Sequence, residues 1–214
     1  MRPILAILIL YVLGPGVHAQ TGFTITYDHL HFYVYDSSGN PLLTGQQNKF
    51  RSKLVINKHE SYEYPSLISD RQIPEPGKTL GKTFQPHTLY KDTVRRITVS
   101  QFGRGYRMIE DWTAYAWEIT HEKKSVAGFE CIKAVSGSGT DSLIAWYCEK
   151  LPAGFGPQKH GGLPGTILET TDHKENYIFR MTATRVEPVT KPVTEPKKGK
   201  LVTPEDWQRI RQGL

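Results

Sequence analysis

Three groups of side chains have the types and spacing that chemistry could use. His29 and His31 stand two apart in an aromatic and β-branched run, so on a strand both rings share a face and could bite one metal ion. A structural zinc site wants four ligands, so His160 or His121 would have to complete it, and exposed strand histidines beside Asp28 are the plainer account. Cys131, His160 and Asp172 are the residue types of a thiol nucleophile, its base and an orienting carboxylate. Against that, Cys131 falls on an expected core face and has Cys148 as a natural partner. Glu110 and Asp111 are adjacent, so on a strand they point to opposite faces and cannot work jointly as acid and base. Trp112, Trp117, Trp146 and Tyr147 could form an aromatic binding stripe, although core packing is the commoner fate of such rings. These patterns assign no catalytic residue, no cofactor and no metal ligand.

The elements that must position these groups are strands. In Lys174 to Val186 the residues Tyr177, Phe179, Met181 and Ala183 fall on one face, with Arg180, Thr182 and Thr184 on the other, the period of a half-buried strand. Phe23 to Asp36, Lys53 to Asn57, Asp92 to Phe102, Tyr106 to Glu110, Ala114 to Thr120 and Thr166 to Thr171 are further candidates. Turn residues recur between them, and no long amphipathic helix intervenes to make parallel crossovers. The fold class is therefore mainly β: a single domain on one strongly curved antiparallel meander, a half-open barrel at its most curved, followed by a Pro-rich tether and a short C-terminal helix.

Met1 to Ala19 reads as a secretory signal peptide cleaved before Gln20, with Arg2 as the positive end, Ile4 to Leu13 as the apolar run and small residues at Val17 and Ala19. That run is too short to span a bilayer, and no later segment approaches the required apolar length, so the mature chain is expected in the periplasm or exported, without a transmembrane segment. The formal net charge of +6 is modest for 214 residues. Within the domain Arg95-Arg96 and Lys123-Lys124 are the only adjacent basic pairs, too few for phosphate-backbone recognition, so nucleic acid is not an expected partner.

Export makes a disulfide the default for the two cysteines, Cys131 and Cys148. Ala127 to Val135 and Ser142 to Glu149 flank a Ser-Gly-Ser-Gly turn, and setting Cys131 opposite Cys148 puts Lys133 opposite Trp146 and Val135 opposite Ile144. The shared face is then Phe129, Cys131 and Val135 with Ile144, Trp146 and Cys148, apolar enough for a core. The alternative is two buried free thiols.

Gly154 to Gly165 holds five glycines and two prolines, so it is neither helix nor central strand and reads as an ordered Ω-like loop anchored by Phe155 and Leu163. One reading makes it a structural turn that returns Ile167 and Leu168 to the sheet. The other makes it a recognition loop, with Phe155, Lys159, His160, Leu163 and Pro164 as contacts and Lys159 and His160 at an exposed tip. The β domain runs from 20 to 186, and 187 to 202, with Pro188, Pro192 and Pro196, reads as an extended tether. From 203 to 214 a helix starts at Thr203 with Pro204 in its first turn, its apolar side carrying Trp207 and Ile210 to a partner or back to cap the sheet edge.

Several short motifs follow one another along the chain: Trp117-Glu118-Ile119, Gly128-Phe129-Glu130-Cys131-Ile132-Lys133-Ala134, Ala145-Trp146-Tyr147, and Gly156-Pro157 followed by Gly162-Leu163-Pro164-Gly165-Thr166-Ile167. With Asp172, and with Leu54 to Asn57 and Ser61 upstream, this resembles the GLPGLI family of exported proteins found mainly in Bacteroidota. Thr166 stands where the family's name has Leu, and Cys148 where a Thr-like residue is expected. The resemblance implies export, a β-rich fold and a non-catalytic accessory role with a protein partner at the outer membrane, a TonB-dependent transporter or its substrate. A periplasmic carrier of a hydrophobic or peptide-like ligand is the alternative, requiring an apolar cavity, and an unrecognised hydrolase is the third, requiring a polar cleft.

Overall fold

The computed structural model describes residues 22–33, 48–68, 87–102, 105–139, 141–174 and 177–212; the expected signal peptide lies outside them. The described strands form one twelve-stranded sheet. In chain order they are β1 (Gly22–Tyr33), β2 (Asn48–Ile56), β3 (Glu60–Ile68), β4 (His87–Asp92), β5 (Ile97–Phe102), β6 (Tyr106–Asp111), β7 (Glu118–Val126), β8 (Phe129–Ser138), β9 (Asp141–Cys148), β10 (Thr166–Lys174), β11 (Tyr177–Val189) and β12 (Lys200–Leu201), followed by helix α1 (Pro204–Gln212). The spatial order is β12-β6-β5-β4-β3-β2-β1-β11-β10-β9-β8-β7, antiparallel except where β12 joins β6. The chain walks outward from β1 to β6, jumps to the far edge at β7, and walks back to β11 beside β1.

That jump dictates the curvature. β6 and β7 are ten strand intervals apart, about 48 Å if the sheet were flat. The link, residues 112–117, can stretch no more than about 25 Å from Asp111 to Glu118. The sheet must therefore curl until its two halves face each other, although its edges do not pair. Register shifts at Thr26/Tyr27, Arg51/Ser52, Ile119/Lys123 and Ile167/Glu169 supply the bends, since each extra residue kinks its strand and increases the local twist.

The ladder registers place Tyr27 and His29, Ser52 and Leu54, Ser61 and Glu63, Leu89 and Lys91, and Thr98 and Ser100 on one face, and all are buried. This inner face is unusually polar for a core. The outer face of β2 to β5 carries Val55, Tyr90 and Val99, which pack with Val193. Residues 190–199, expected as a tether with little to bury, instead form a strap that seats Val193 in this apolar row. From Val189 to Lys200 an extended chain reaches at most about 40 Å, against about 34 Å for the seven strand intervals between β11 and β12, so the strap has little slack. Beyond it, Thr203 Oγ1 accepts the Asp206 N–H and caps α1. Trp207 stacks on Phe102, with centroids 4.0 Å apart, and lies 5.8 Å from the Tyr106 ring. The helix thus folds back onto the sheet edge, which takes up the Trp207 ring; Ile210 is half-buried.

The β8–β9 hairpin has the register that opposes Lys133 to Trp146 and Val135 to Ile144. Two expectations attached to it are corrected. The fully buried residues of this pair include Ala134, Ala145 and Tyr147, from the face opposite to the one expected as the core, because the hairpin is covered on both sides. Cys131 and Cys148 are free thiols, both buried in one cluster with Leu151 and Phe155. The β8–β9 ladder ends at Ile132 and Tyr147, one position short of the cysteines, so pairing does not hold them face to face. Burial and the neighbouring Cys148 push the Cys131 thiol up to about 12, the reverse of what a nucleophilic thiol requires. Intact-mass measurement without reductant should find the native chain slow to alkylate and the denatured chain carrying two labels; a denatured chain with no label would show a bond.

Candidate functional site

The Gly154–Gly165 loop lies between β9 and β10, yet its fastenings come from the opposite half of the sheet. Lys91, fully buried on β4, donates from Nζ to the carbonyls of Gly156 at 2.6 Å and His160 at 2.9 Å. Glu63 on β3 accepts the Gln158 N–H at 2.5 Å through Oε2 and the Ser52 hydroxyl at 2.6 Å through Oε1. Ser52 is in turn 2.7 Å from His29 Nε2. Because the Ser52 proton is given to Glu63, the imidazole is the donor to Ser52 Oγ, and the relay runs opposite to the serine-to-histidine transfer that nucleophilic catalysis needs. Lys159 pairs with Glu110 of β6 at 2.7 Å.

Residues 112–117 add a strut. Trp117 donates its indole N–H to the Gly161 carbonyl at 2.9 Å, and the Trp112 ring lies against Gly161 and 5.9 Å from the Lys91 ammonium. A Cβ on Gly161 would sit 2.3 Å from the Gly154 carbonyl oxygen and 2.8 Å from Trp112, and one on Gly165 would sit 2.2 Å from the Cys148 carbonyl oxygen, so only glycine fits there. Within the loop Gly154 N–H bonds the Leu163 carbonyl and Gly162 N–H bonds the Gly154 carbonyl, and Ile167 N–H reaches the Phe155 carbonyl. Tyr27 donates its hydroxyl to the Ile167 carbonyl at 2.6 Å where β10 begins.

Burial sets the electrostatics. It lowers Lys91 to about 8, with the nearby Glu63 partly restoring the charged form. It raises Glu63 above the usual carboxylate range, against the hydrogen bond from Ser52 and the charge of Lys91. His160 falls to about 3, by desolvation first and then by repulsion from Lys91. Its ring faces Tyr115 at 5.7 Å. A lysine, a glutamate and a histidine so perturbed in one place are what a reactive centre would show. Here, however, the lysine and the carboxylate spend their hydrogen bonds on loop backbone and on Ser52, beneath a closed cover.

Several sequence expectations change accordingly. His160 is buried under the loop instead of exposed at its tip, because its carbonyl is drawn down onto Lys91. Phe155 and Leu163 are also buried and serve as anchors, so neither is available to a partner. Gly162 and Pro164 are exposed and Lys159 is half-buried. His29, expected on the surface, is buried in the Ser52 relay and stacked 3.9 Å from Phe50. The aromatic stripe divides: Trp112 and Trp117 clamp the loop, Tyr147 joins a core cluster, and Trp146 lies 4.4 Å under the Lys124 ammonium. Cys131 lies in a different cluster from the surroundings of His160. Lys91 and Glu63 were not singled out from the sequence; in the structure each shares a face with a buried neighbour, Lys91 with Leu89 and Glu63 with Ser61.

Residues 137–169 match a family described as a protein of unknown function, Porph_ging. That segment runs from the β8–β9 turn through the loop into β10. No curated protein sequence matches the chain. Two crystal forms of PNGF-II superpose with TM-scores of 0.58 at 15% and 14% identity, covering 89% of this chain and 33% and 32% of theirs. The chain thus spans about a third of the length of the PNGF-II chains it matches, and the likeness is one of fold. A domain from Vibrio parahaemolyticus named for outer membrane lipoprotein sorting aligns with a TM-score of 0.31 at 8% identity, over 81% of this chain and 88% of its own; so distant a likeness carries no argument.

Lys91→Met should leave the Gly156 and His160 carbonyls without their donor and Glu63 without its countercharge, costing about 3 kcal/mol or more in urea unfolding; a cost below about 1 kcal/mol would mean the clamp is idle. His160 generates a pH signature. Its folded pKa is depressed, so between the unfolded value and about pH 3 the unfolded chain binds the extra proton and stability falls as pH falls, by up to about 1.4 kcal/mol per pH unit. The raised pKa of Glu63 works the other way, adding stability as pH drops through its folded value. The stability advantage of wild type over His160→Gln should therefore shrink steadily from pH 6.5 to pH 4, and parallel profiles would contradict the assignment.

Proposed function

We propose that this chain is a non-catalytic binding and assembly accessory of the bacterial outer envelope, which presents the Gly154–Gly165 loop and its aromatic strut as a rigid contact surface. One observation carries the reading: the groups best suited to chemistry, Lys91 and Glu63, are buried and their hydrogen bonds go to loop backbone and to Ser52. Such an arrangement fixes a shape instead of approaching a substrate. Recognition loops on rigid scaffolds work by that means, since a preorganised surface loses little entropy on binding. The exposed elements are Gly162 and Pro164, flanked by half-buried Lys159, Tyr115 and Trp117.

Three further features support the reading. The resemblance to the GLPGLI family, carried by Gly162 to Ile167 and its upstream motifs, brings an expectation of export and of service to a TonB-dependent transporter. The signal-peptide pattern of Met1 to Ala19 agrees with it. The polar inner face, with His29, Ser52, Glu63 and Lys91 buried on it, weighs against a chamber for hydrophobic ligands.

A photo-crosslinking residue placed at Pro164 or Lys159, in the full-length chain produced in its native host, should yield an adduct with an outer-membrane protein. The same residue at Arg185, exposed on β11, should not. Equal adducts from all three positions, or hydrolytic activity of the purified chain abolished by Glu63→Gln without loss of stability, would overturn the reading.

A further inference from the structure

The outer face of the sheet offers a second surface, on the other side from the loop. Val55, Tyr62, Tyr90 and Val99 lie opposite one another across β2 to β5 and form a continuous apolar row. Tyr64 lies beside it, its ring 6.0 Å from that of Tyr62. Arg95 closes one end, its guanidinium 5.9 Å from the Tyr90 ring and hydrogen-bonded to Asp92 at 2.6 Å and to the Tyr90 hydroxyl at 3.1 Å. An aromatic-lined groove with a cation at its end is the kind of surface on which extended, proline-bearing segments are recognised, because proline presets their backbone and lowers the ordering cost.

The chain itself shows what fits. The strap carries Pro192, Val193, Glu195 and Pro196, with Val193 seated in the row and Glu195 paired to Arg95 at 2.8 Å. Its hold is slight. The Arg95 and Glu195 side chains remain 47% and 20% exposed, the next contact is Gln101 Nε2 to the Lys198 carbonyl at 3.3 Å, and the ladder beyond is the two residues of β12. Thr190, Lys191, Pro192, Thr194, Lys197 and Lys198 are exposed. Segments with so few buried contacts open locally far more easily than the sheet beneath them.

We propose that the groove over β2 to β5 is a receptor for extended, proline-flanked segments of partner proteins that carry an aliphatic residue two positions before an acidic one, and that the C-terminal strap is its resident competitor. The partner segment displaces the strap, places its aliphatic side chain where Val193 sits, and offers its carboxylate to Arg95. This surface is independent of the loop face, so it can fail while the loop reading stands.

The test uses the full chain and a fluorescent peptide of residues 188–199. Glu195→Arg, and the milder Glu195→Gln, weaken the strap; Arg95→Glu damages the groove. By anisotropy the Glu195→Arg chain should take the peptide at least tenfold more tightly than wild type, Glu195→Gln should be intermediate, and Arg95→Glu should take none. In wild type, excess peptide should speed amide exchange at Lys200 and Val202, whose N–H groups bond the carbonyls of Gly105 and Arg107. The proposal is overturned if a strap-weakened chain with unchanged circular dichroism takes no peptide, or if wild type takes it equally well. It is also overturned if the weakened chain dimerises by exchanging straps, or if peptide leaves wild-type exchange unchanged.

Discussion

The grip of Lys91 and Glu63 on the backbone between Gly156 and His160 is the interaction on which the rest of the structure depends. The two residues sit on β4 and β3, while the loop they hold belongs to the β9–β10 connection. The bonds therefore tie together the two halves of a sheet whose edges, among the described residues, do not pair. A curved sheet left open has a face to cover and two halves free to splay. Here the loop covers that face, and the buried charges fix the loop in one place.

The arrangement explains why polar groups occupy the inside. Desolvating an ammonium and a carboxylate is expensive, and an apolar pair of similar volume would serve stability as well or better. What an apolar pair could not do is satisfy the backbone of a glycine-rich loop, which has few side chains with which to bury itself. Lys91 meets two carbonyls and Glu63 one amide, so polar backbone that would otherwise be stranded in the interior is satisfied. The hydrogen bonds of the two charged groups with shifted pKa values, Lys91 and Glu63, thus go to loop backbone and to Ser52.

Most strands, the curvature and the C-terminal helix were legible because period-two patterning and turn residues dominate the local physics; β3 and β4 were not among the expected strands, and Ala114 to Thr120 was expected as strand where residues 112–117 form the irregular link into β7. Phe179, Met181 and Ala183 lie on one buried face of β11, and Lys133 meets Trp146 in the hairpin. The central grip was not legible, for a physical reason. Polar residues in strict alternation normally face water, and nothing local to Ser61, Glu63 or Lys91 says that their face is the inner one. That is decided by the β6–β7 link, whose shortness matters only once the strand order is known. His160 was misplaced for the same reason: a histidine in a glycine-rich stretch reads as a loop tip until the lysine beneath its carbonyl is seen. The strap was hidden because its one buried side chain, Val193, needs a partner row drawn from β2, β4 and β5.

The measurement that tests the central claim most directly is amide hydrogen exchange at Gln158, Gly154 and Gly162, whose N–H groups are held by Glu63 Oε2, the Leu163 carbonyl and the Gly154 carbonyl. If the buried pair fixes the loop to the opposite half of the sheet, these amides in the wild-type chain exchange nearly as slowly as those of β10 and β11. In Glu63→Gln they should lose that protection while the strands keep theirs. Fast exchange at all three in the wild-type chain would contradict the account.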